Sequence, residues 1–283
     1  MIMQEIKNDS LHTLRRDALI SIYKAESGHP GGVLSSIDII AYLFLREMVY
    51  DPKDFSTNNR DRFILSKGHS CPALYAVAAE AGIIDRSRLK GLRKLNHELQ
   101  GHPSRKSTPW VEASTGSLGQ GFSFAIGEAF GLRYQNIQNR VYVMLGDGEL
   151  QEGEVWEGAM FAGHYSLGNL CAIIDYNKMQ SDDLNKNIIG LEPLADKWRA
   201  FNWHVLEIDG HNMSDIEAAF VNARKMKERP TVIIAHTLKG KGVSYMEGSP
   251  AWHGSAKLSD DDIKRALLDL VVPEDELEGI INE

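Results

Sequence analysis

Asp147 stands between two glycines where an apolar run ends, in VYVMLGDGELQEGEVWE (141–157), a stretch with several glutamates and no lysine or arginine. A phosphate held by protein alone prefers cationic side chains or bare backbone N–H groups, so carboxylates at this point need another purpose. A divalent cation supplies one. Mg²⁺ takes oxygen ligands in octahedral geometry, one or two from side chains and the rest from phosphate and water. Asp147 offers an anionic oxygen, while Gly146 and Gly148 let the backbone come close. A second oxygen is available from Asn177, about thirty residues on, in DYNKMQ (175–180). The plain alternative is a pair of turn residues, since turns favour Gly, Asp and Asn. No GxxxxGK[ST] phosphate loop occurs, and GSLGQG (116–121) fails GxGxxG because Phe124 falls where the last glycine belongs.

Histidines form the second set. His29, His69, His102 and His253 each adjoin a glycine, which leaves the ring unshielded by that neighbour. Imidazole titrates near neutral pH and suits a substrate whose hydroxyl protons must be moved, such as a sugar. A zinc site is the rival reading, but no HxxxH or CxxC spacing supports it. His12, His97, His164, His204, His211 and His236 are structural or stay undecided.

These residues must be positioned by something. Leu11, Leu14, Ala18, Leu19 and Ile22 recur at helical spacing within 3–26, and SGHPGG (27–32) stops that helix. A second helix, capped by serine, is expected over 35–49. Strands are expected at 62–66, 141–145, 170–175, 204–209 and 231–236, alternating with helices. Strands apolar on both faces predict an α/β fold, a parallel sheet with helices on both sides. In such sheets ligands lie off the carboxyl ends of the strands. His69, Asp147, Asn177, His211, Lys239 and Lys241 all follow strands there. Two long irregular regions, 96–118 and 237–257, are candidates for function because loops of that length are rare in compact domains. SDDDIKRALLDL near the end reads as a capped amphipathic helix.

Composition narrows the class. The 283 residues are 43% hydrophobic and 25% charged, with a formal net charge of −8 at pH 7 and no run of Lys/Arg, which disfavours a nucleic-acid surface. MIMQEIKNDS lacks the basic-then-apolar pattern of a signal peptide, and no apolar run reaches the ~18 residues of a membrane span. Cys71 and Cys171 fit no metal spacing and read as buried thiols in a reducing compartment. A cytoplasmic enzyme, with no membrane or nucleic-acid partner, is the expectation.

SGHPGG, LSKGHS, GHPSR, STGSLGQGFSFAIGEA, GDGELQEGEVWEGAMFAGHYSLGNLCAIIDYNKMQ, EIDGHN and KGKGVSYMEGSPAWHG follow one another between residues 27 and 254. In content and order they resemble the transketolase family, whose GDG…N pair is a thiamine-diphosphate signature. The resemblance implies the thiamine-diphosphate-binding fold, with a diphosphate- and metal-binding domain over 1–257 and a helix with an acidic tail, a possible partner junction, over 258–283. It implies Mg²⁺ (or Ca²⁺) on Asp147, Asn177 and the carbonyl of Met179, with the Gly148 amide and Asn177 at the cofactor. His69 and His253 would lie nearest the diphosphate, and His29 and His102 at the sugar. Gly116 and Leu118 would contact the aminopyrimidine, and Glu152 and Glu157 would lie between the two active sites of a dimer.

The family's pyrimidine-contacting glutamate and its phosphate-gripping arginines belong to a following domain that this sequence does not contain. The chain is then either a fragment or, as the resemblance implies, the amino-terminal subunit of a split transketolase, inactive alone. A separate C-terminal subunit would bring the pyrimidine-binding domain, in an α2β2 heterotetramer acting on phosphorylated sugars. The α subunit of a 2-oxoacid dehydrogenase, a 1-deoxyxylulose-phosphate synthase-like protein and a non-catalytic homologue are the alternatives.

Overall fold

The computed structural model describes residues 6, 8–180, 183–252, 254 and 256–282. Five strands, β1 (Arg62–Leu65), β2 (Val141–Gly146), β3 (Leu170–Tyr176), β4 (His204–Asp209) and β5 (Thr231–His236), form one parallel sheet in the order β1-β2-β3-β5-β4. Helices α1 (Asn8–Ala25), α2 (Pro30–Tyr42) and α3 (Cys71–Glu80) precede α4 (Gln120–Tyr134) and α5 (Gly153–His164). A short α6 (Asn185–Ile188) and α7 (Leu194–Ala200) lead to α8 (Met213–Lys225), and α9 (Asp260–Asp269) and α10 (Leu277–Asn282) close the chain.

The strands show why both faces are covered. Side chains alternate across a sheet with a period of two. In β2 and β3, Tyr142, Met144, Cys171 and Ile173 face one core, shared with Leu14, Ile22 and Leu34 of α1 and α2. Val143, Leu145, Ala172 and Ile174 face the other, shared with Phe122, Val155 and Trp198 of α4, α5 and α7. Each such side chain contributes roughly 1.5–3 kcal/mol on burial. The expected α/β architecture with helices on both faces is what folds. Only β4 departs from the doubly apolar pattern: it is an edge strand, with Glu207 and Asp209 exposed.

Two boundaries differ from the sequence reading. The second helix starts at Pro30, not at 35, so HPGG begins a helix instead of merely ending one. Proline at the first helical position loses no hydrogen bond, and Gly31 is needed there because a Cβ would lie 2.8 Å from Lys239 Cγ and from the Trp252 carbonyl. Helix α2 also stops at Tyr42, where residues Leu43–Glu47 widen into a π-helical turn. The capped helix near the end is present: Ser259 and Asp262 of α9 cap each other's backbone, and Ile263, Ala266 and Leu267 are buried in the same core as α1. Among the described residues no helix is long and apolar enough to cross a membrane.

Candidate cofactor site

Gly146 at the end of β2 pairs in register with Asp175 of β3, so Asp147 and Asn177 emerge side by side from neighbouring strands. The Asp147 carboxylate accepts from the Gly148 amide at 2.8 Å and, through its other oxygen, from the Lys178 amide. Asn177 Oδ1 accepts from the Met179 amide at 3.2 Å, and its Nδ2 donates to Asp175 Oδ2 at 3.3 Å. The Met179 carbonyl accepts from Lys239 Nζ at 3.1 Å. Asp147, Asn177 and Met179 line one cavity of about 180 Å³ together with Gly148, Leu118 and His69. Gly148 is required by a close approach, since a Cβ there would lie 2.9 Å from Gln180 Cβ.

The chemistry of this donor set suits a hard divalent ion. It comprises one carboxylate, one amide oxygen and one carbonyl, each with lone-pair capacity beyond the bonds above. Asp147 is only 2% exposed. Burial, then the nearby Asp175 charge, pushes its pKa up, while Lys239 pulls it back. Burial likewise lowers the Lys239 pKa, against the attraction of Asp147. No cluster of three His, Cys, Asp or Glu able to hold a metal occurs among the described residues.

The sequence reading passed over the charges beneath this floor. Asp175 is fully buried and accepts from Lys67, Thr237, Asn177 and, at 2.6 Å, Ser35. Burial alone would raise its pKa, but the Lys67 ammonium and these hydrogen bonds outweigh it and hold the carboxyl below its usual range. Glu149 accepts from the Ser66 hydroxyl, from the Gly119 amide at 2.8 Å and from the Gly146 amide at 3.0 Å, which ties the 115–119 loop to the end of β2. Burial keeps its pKa raised. His211, structural or undecided from the sequence, bonds Asp38 Oδ2 through Nδ1 at 2.7 Å and accepts the Leu238 amide at 2.8 Å, pinning the loop that carries Lys239. One signal was available for the floor: LCAIID and LSKGHS each end an otherwise apolar strand segment with a charge nearby.

Among the described residues, His69 is the one histidine that lines the cavity, and His29 stands beside it. His29 stands at the N-cap position of α2 without a side-chain capping bond, and its ring centroid lies 5.1 Å from that of His69. His102 packs beside Gly116, where a Cβ would come within 3.4 Å of the ring and φ is +154°. The His29 pKa is lowered to about 4, first by burial and then by the charges of Arg93, His102, Lys67 and Lys239. That of His102 is lowered by burial and by Arg93. Nδ1 of His29 is buried with no partner among the described residues. His253 lies outside the described residues. A larger groove, about 870 Å³, runs beside α4, but its Arg60 and Arg62 are already paired with Glu112 and Glu128.

Residues 6–271 match the family model described as transketolase, thiamine diphosphate binding domain. The chain belongs to this family. It is 43% identical over 271 residues to the 6-deoxy-6-sulfo-D-fructose transketolase subunit SqwG of Clostridium sp. (strain MSTE9), covering 95% of this chain and 98% of that one. It is 40% identical over 232 residues to an apulose-4-phosphate transketolase subunit of Phocaeicola vulgatus, covering 82% of each. The solved transketolase of Campylobacter jejuni superposes with a TM-score of 0.88 at 31% identity, over 98% of this chain and 46% of that chain. This transketolase-family chain thus spans nearly all of SqwG but less than half of the C. jejuni protein. The expected amino-terminal, thiamine-diphosphate-binding transketolase unit is borne out.

Proposed function

We propose that this chain binds thiamine diphosphate through Mg²⁺ (or Ca²⁺). With a separate C-terminal subunit bearing the pyrimidine-binding domain, it would transfer a two-carbon ketol unit between phosphorylated sugars. The observation that carries the reading is the convergence of the Asp147 carboxylate, the Asn177 amide and the Met179 carbonyl on one cavity at the strand ends. Those three groups would hold the metal, with the Gly148 backbone and His69 beside the diphosphate. Thiamine diphosphate, when bound, supplies the carbon nucleophile on which the two-carbon unit is carried. Leu118 and the 115–119 loop, fixed by Glu149, would wall the ring system and exclude water. His29 and His102, both biased towards the neutral ring at pH 7, would accept hydrogen bonds from sugar hydroxyls. His253 is assigned to the same rim from its motif alone.

The partner subunit is assigned to the outer face of α4 and α5. Phe124, Phe130, Met160 and Phe161 are exposed there. The same two helices start at the cavity, whose wall includes Leu118 and Glu152 just ahead of them. A protein seated on this face therefore reaches the cofactor. Two copies of each chain would give a twofold-symmetric tetramer.

A coupled assay with xylulose 5-phosphate and ribose 5-phosphate, extended to the sugars for which the two relatives are named, tests the proposal. The expected result is no turnover by this chain alone and turnover once the C-terminal subunit is added. Robust activity of the isolated chain contradicts it.

A further inference from the structure

Lys239 is an unusual companion for a metal site. It is 1% exposed, and its ammonium donates to the Met179 carbonyl at 3.1 Å, a group assigned above to the metal. Its stem has no room to leave: it packs against Gly31, where a Cβ would meet Lys239 Cγ at 2.8 Å. The loop carrying it is pinned on both sides, by Thr237 on Asp175 and Leu238 on His211 before it, and by the Gly240 amide on the Gly31 carbonyl at 3.1 Å after it. The cation is built into the site.

Among the described residues, three carboxylates and two lysines line the cavity, and Asp147 is the carboxylate at the proposed metal position. Lys67 is committed to Asp175 in a buried ion pair. Glu149 is held by the Ser66 hydroxyl and two backbone amides. Lys178 sits outside, over the Tyr176 ring, and Glu152 lies at the exposed rim. Lys239 is therefore the buried cation that shares an oxygen, the Met179 carbonyl, with the proposed metal. A divalent ion arriving by itself on that carbonyl would lie beside the ammonium, a like-charge contact in a buried place, which is opposed. A diphosphate arriving with it offsets both positive charges.

We infer that Lys239 makes metal binding conditional on the diphosphate: it repels the bare divalent ion and attracts the ion–diphosphate pair. This rests on the assignment of Asp147, Asn177 and Met179 as metal ligands. The consequence is a reversal of sign that a residue of purely structural importance would not produce. Removing the charge of Lys239 strengthens binding of metal alone and weakens binding of thiamine diphosphate.

The experiment uses the full chain, with Mn²⁺ uptake followed by electron spin resonance in the absence of cofactor. Thiamine diphosphate affinity is measured by calorimetry at saturating Mg²⁺. For Lys239→Met, Mn²⁺ alone binds about tenfold or more tighter than to the wild type, and thiamine diphosphate about tenfold or more weaker. Lys239→Arg follows the wild type in direction. Metal binding to Lys239→Met that is unchanged or weaker overturns the inference. Should that variant not fold, Lys239→Gln takes its place. The wild type itself provides a further check, since equal Mn²⁺ affinity with and without thiamine diphosphate overturns the inference too. Asp147→Ala separates the two levels. If it binds metal and cofactor as the wild type does, the site assignment fails; if it loses both while Lys239→Met is indifferent, only the role of Lys239 fails.

Discussion

The floor of the strand-end cavity and the outer face of α4 and α5 lie within a few residues of each other along the chain, yet they are finished to different degrees. On the floor, Asp175 has four donors and Glu149 has three, all supplied by this chain. On the helical face, Phe130, Phe161 and Tyr165 stack against one another with centroids 4.5–5.8 Å apart, and all three still meet solvent. Met160 is 56% exposed beside them and Tyr134 84%. Buried polar groups must be satisfied within the fold because leaving one unpaired costs about a kcal/mol or more. Exposed apolar groups carry no such obligation, and this patch of them is the face proposed above for the partner subunit. On that proposal the polar half of the active site is preassembled, and the apolar half is left for a partner.

Asp147→Ala should break the polar half most severely. Metal-dependent thiamine diphosphate binding in the assembled complex is expected to fall more than about a hundredfold by calorimetry, since the only carboxylate of the ligand set is lost. Undiminished affinity would falsify the metal assignment. Lys67→Met strikes the layer beneath and leaves Asp175 buried without its cation, which costs about 3–5 kcal/mol. Chemical denaturation should show that loss whether or not a partner is present. Phe161→Asp tests the apolar half. In sedimentation experiments its association with the C-terminal subunit should weaken about tenfold or more, while the melting temperature of the isolated chain stays nearly unchanged. A large drop in that temperature, with association intact, would assign the face to the fold itself.

The smallest effect concerns the rim. The His29 ring titrates near 6.5 when unfolded and about 4 when folded, so the unfolded chain binds the extra proton between those values. Its contribution to stability is present above about pH 6.5 and is lost as the pH falls towards 4. Melting temperatures of His29→Asn between pH 4 and 7 should decline less steeply than those of the wild type. Parallel curves would mean that the ring is not held neutral.

The sheet and its helical covers were legible because apolar runs in Tyr142–Leu145 and Leu170–Ile174 serve two cores at once. Asp147 and Asn177 were legible because glycines and an amide at strand ends are short-range signals. The start of α2 was not, since HPGG looks like punctuation until Lys239 is seen packed on Gly31. Nor was the pairing of Lys67 with Asp175, which are separated by 108 residues and joined only once β1, β2 and β3 lie side by side. Spacing along a chain reports local geometry; the partner of a buried charge is decided by strand order.

The alternation along β3 imposes a constraint of counting. Cys171, Ile173 and Asp175 point to the side where Ser35 and Lys67 wait, while Ala172, Ile174 and Tyr176 point to the other. Adding or deleting one residue upstream in this strand would carry the carboxylate into the oily layer under α4 and α5 and bring an isoleucine to the lysine. Individual letters in the strand can be exchanged for others of similar shape, but its length is as much a part of the proposed site as Asn177.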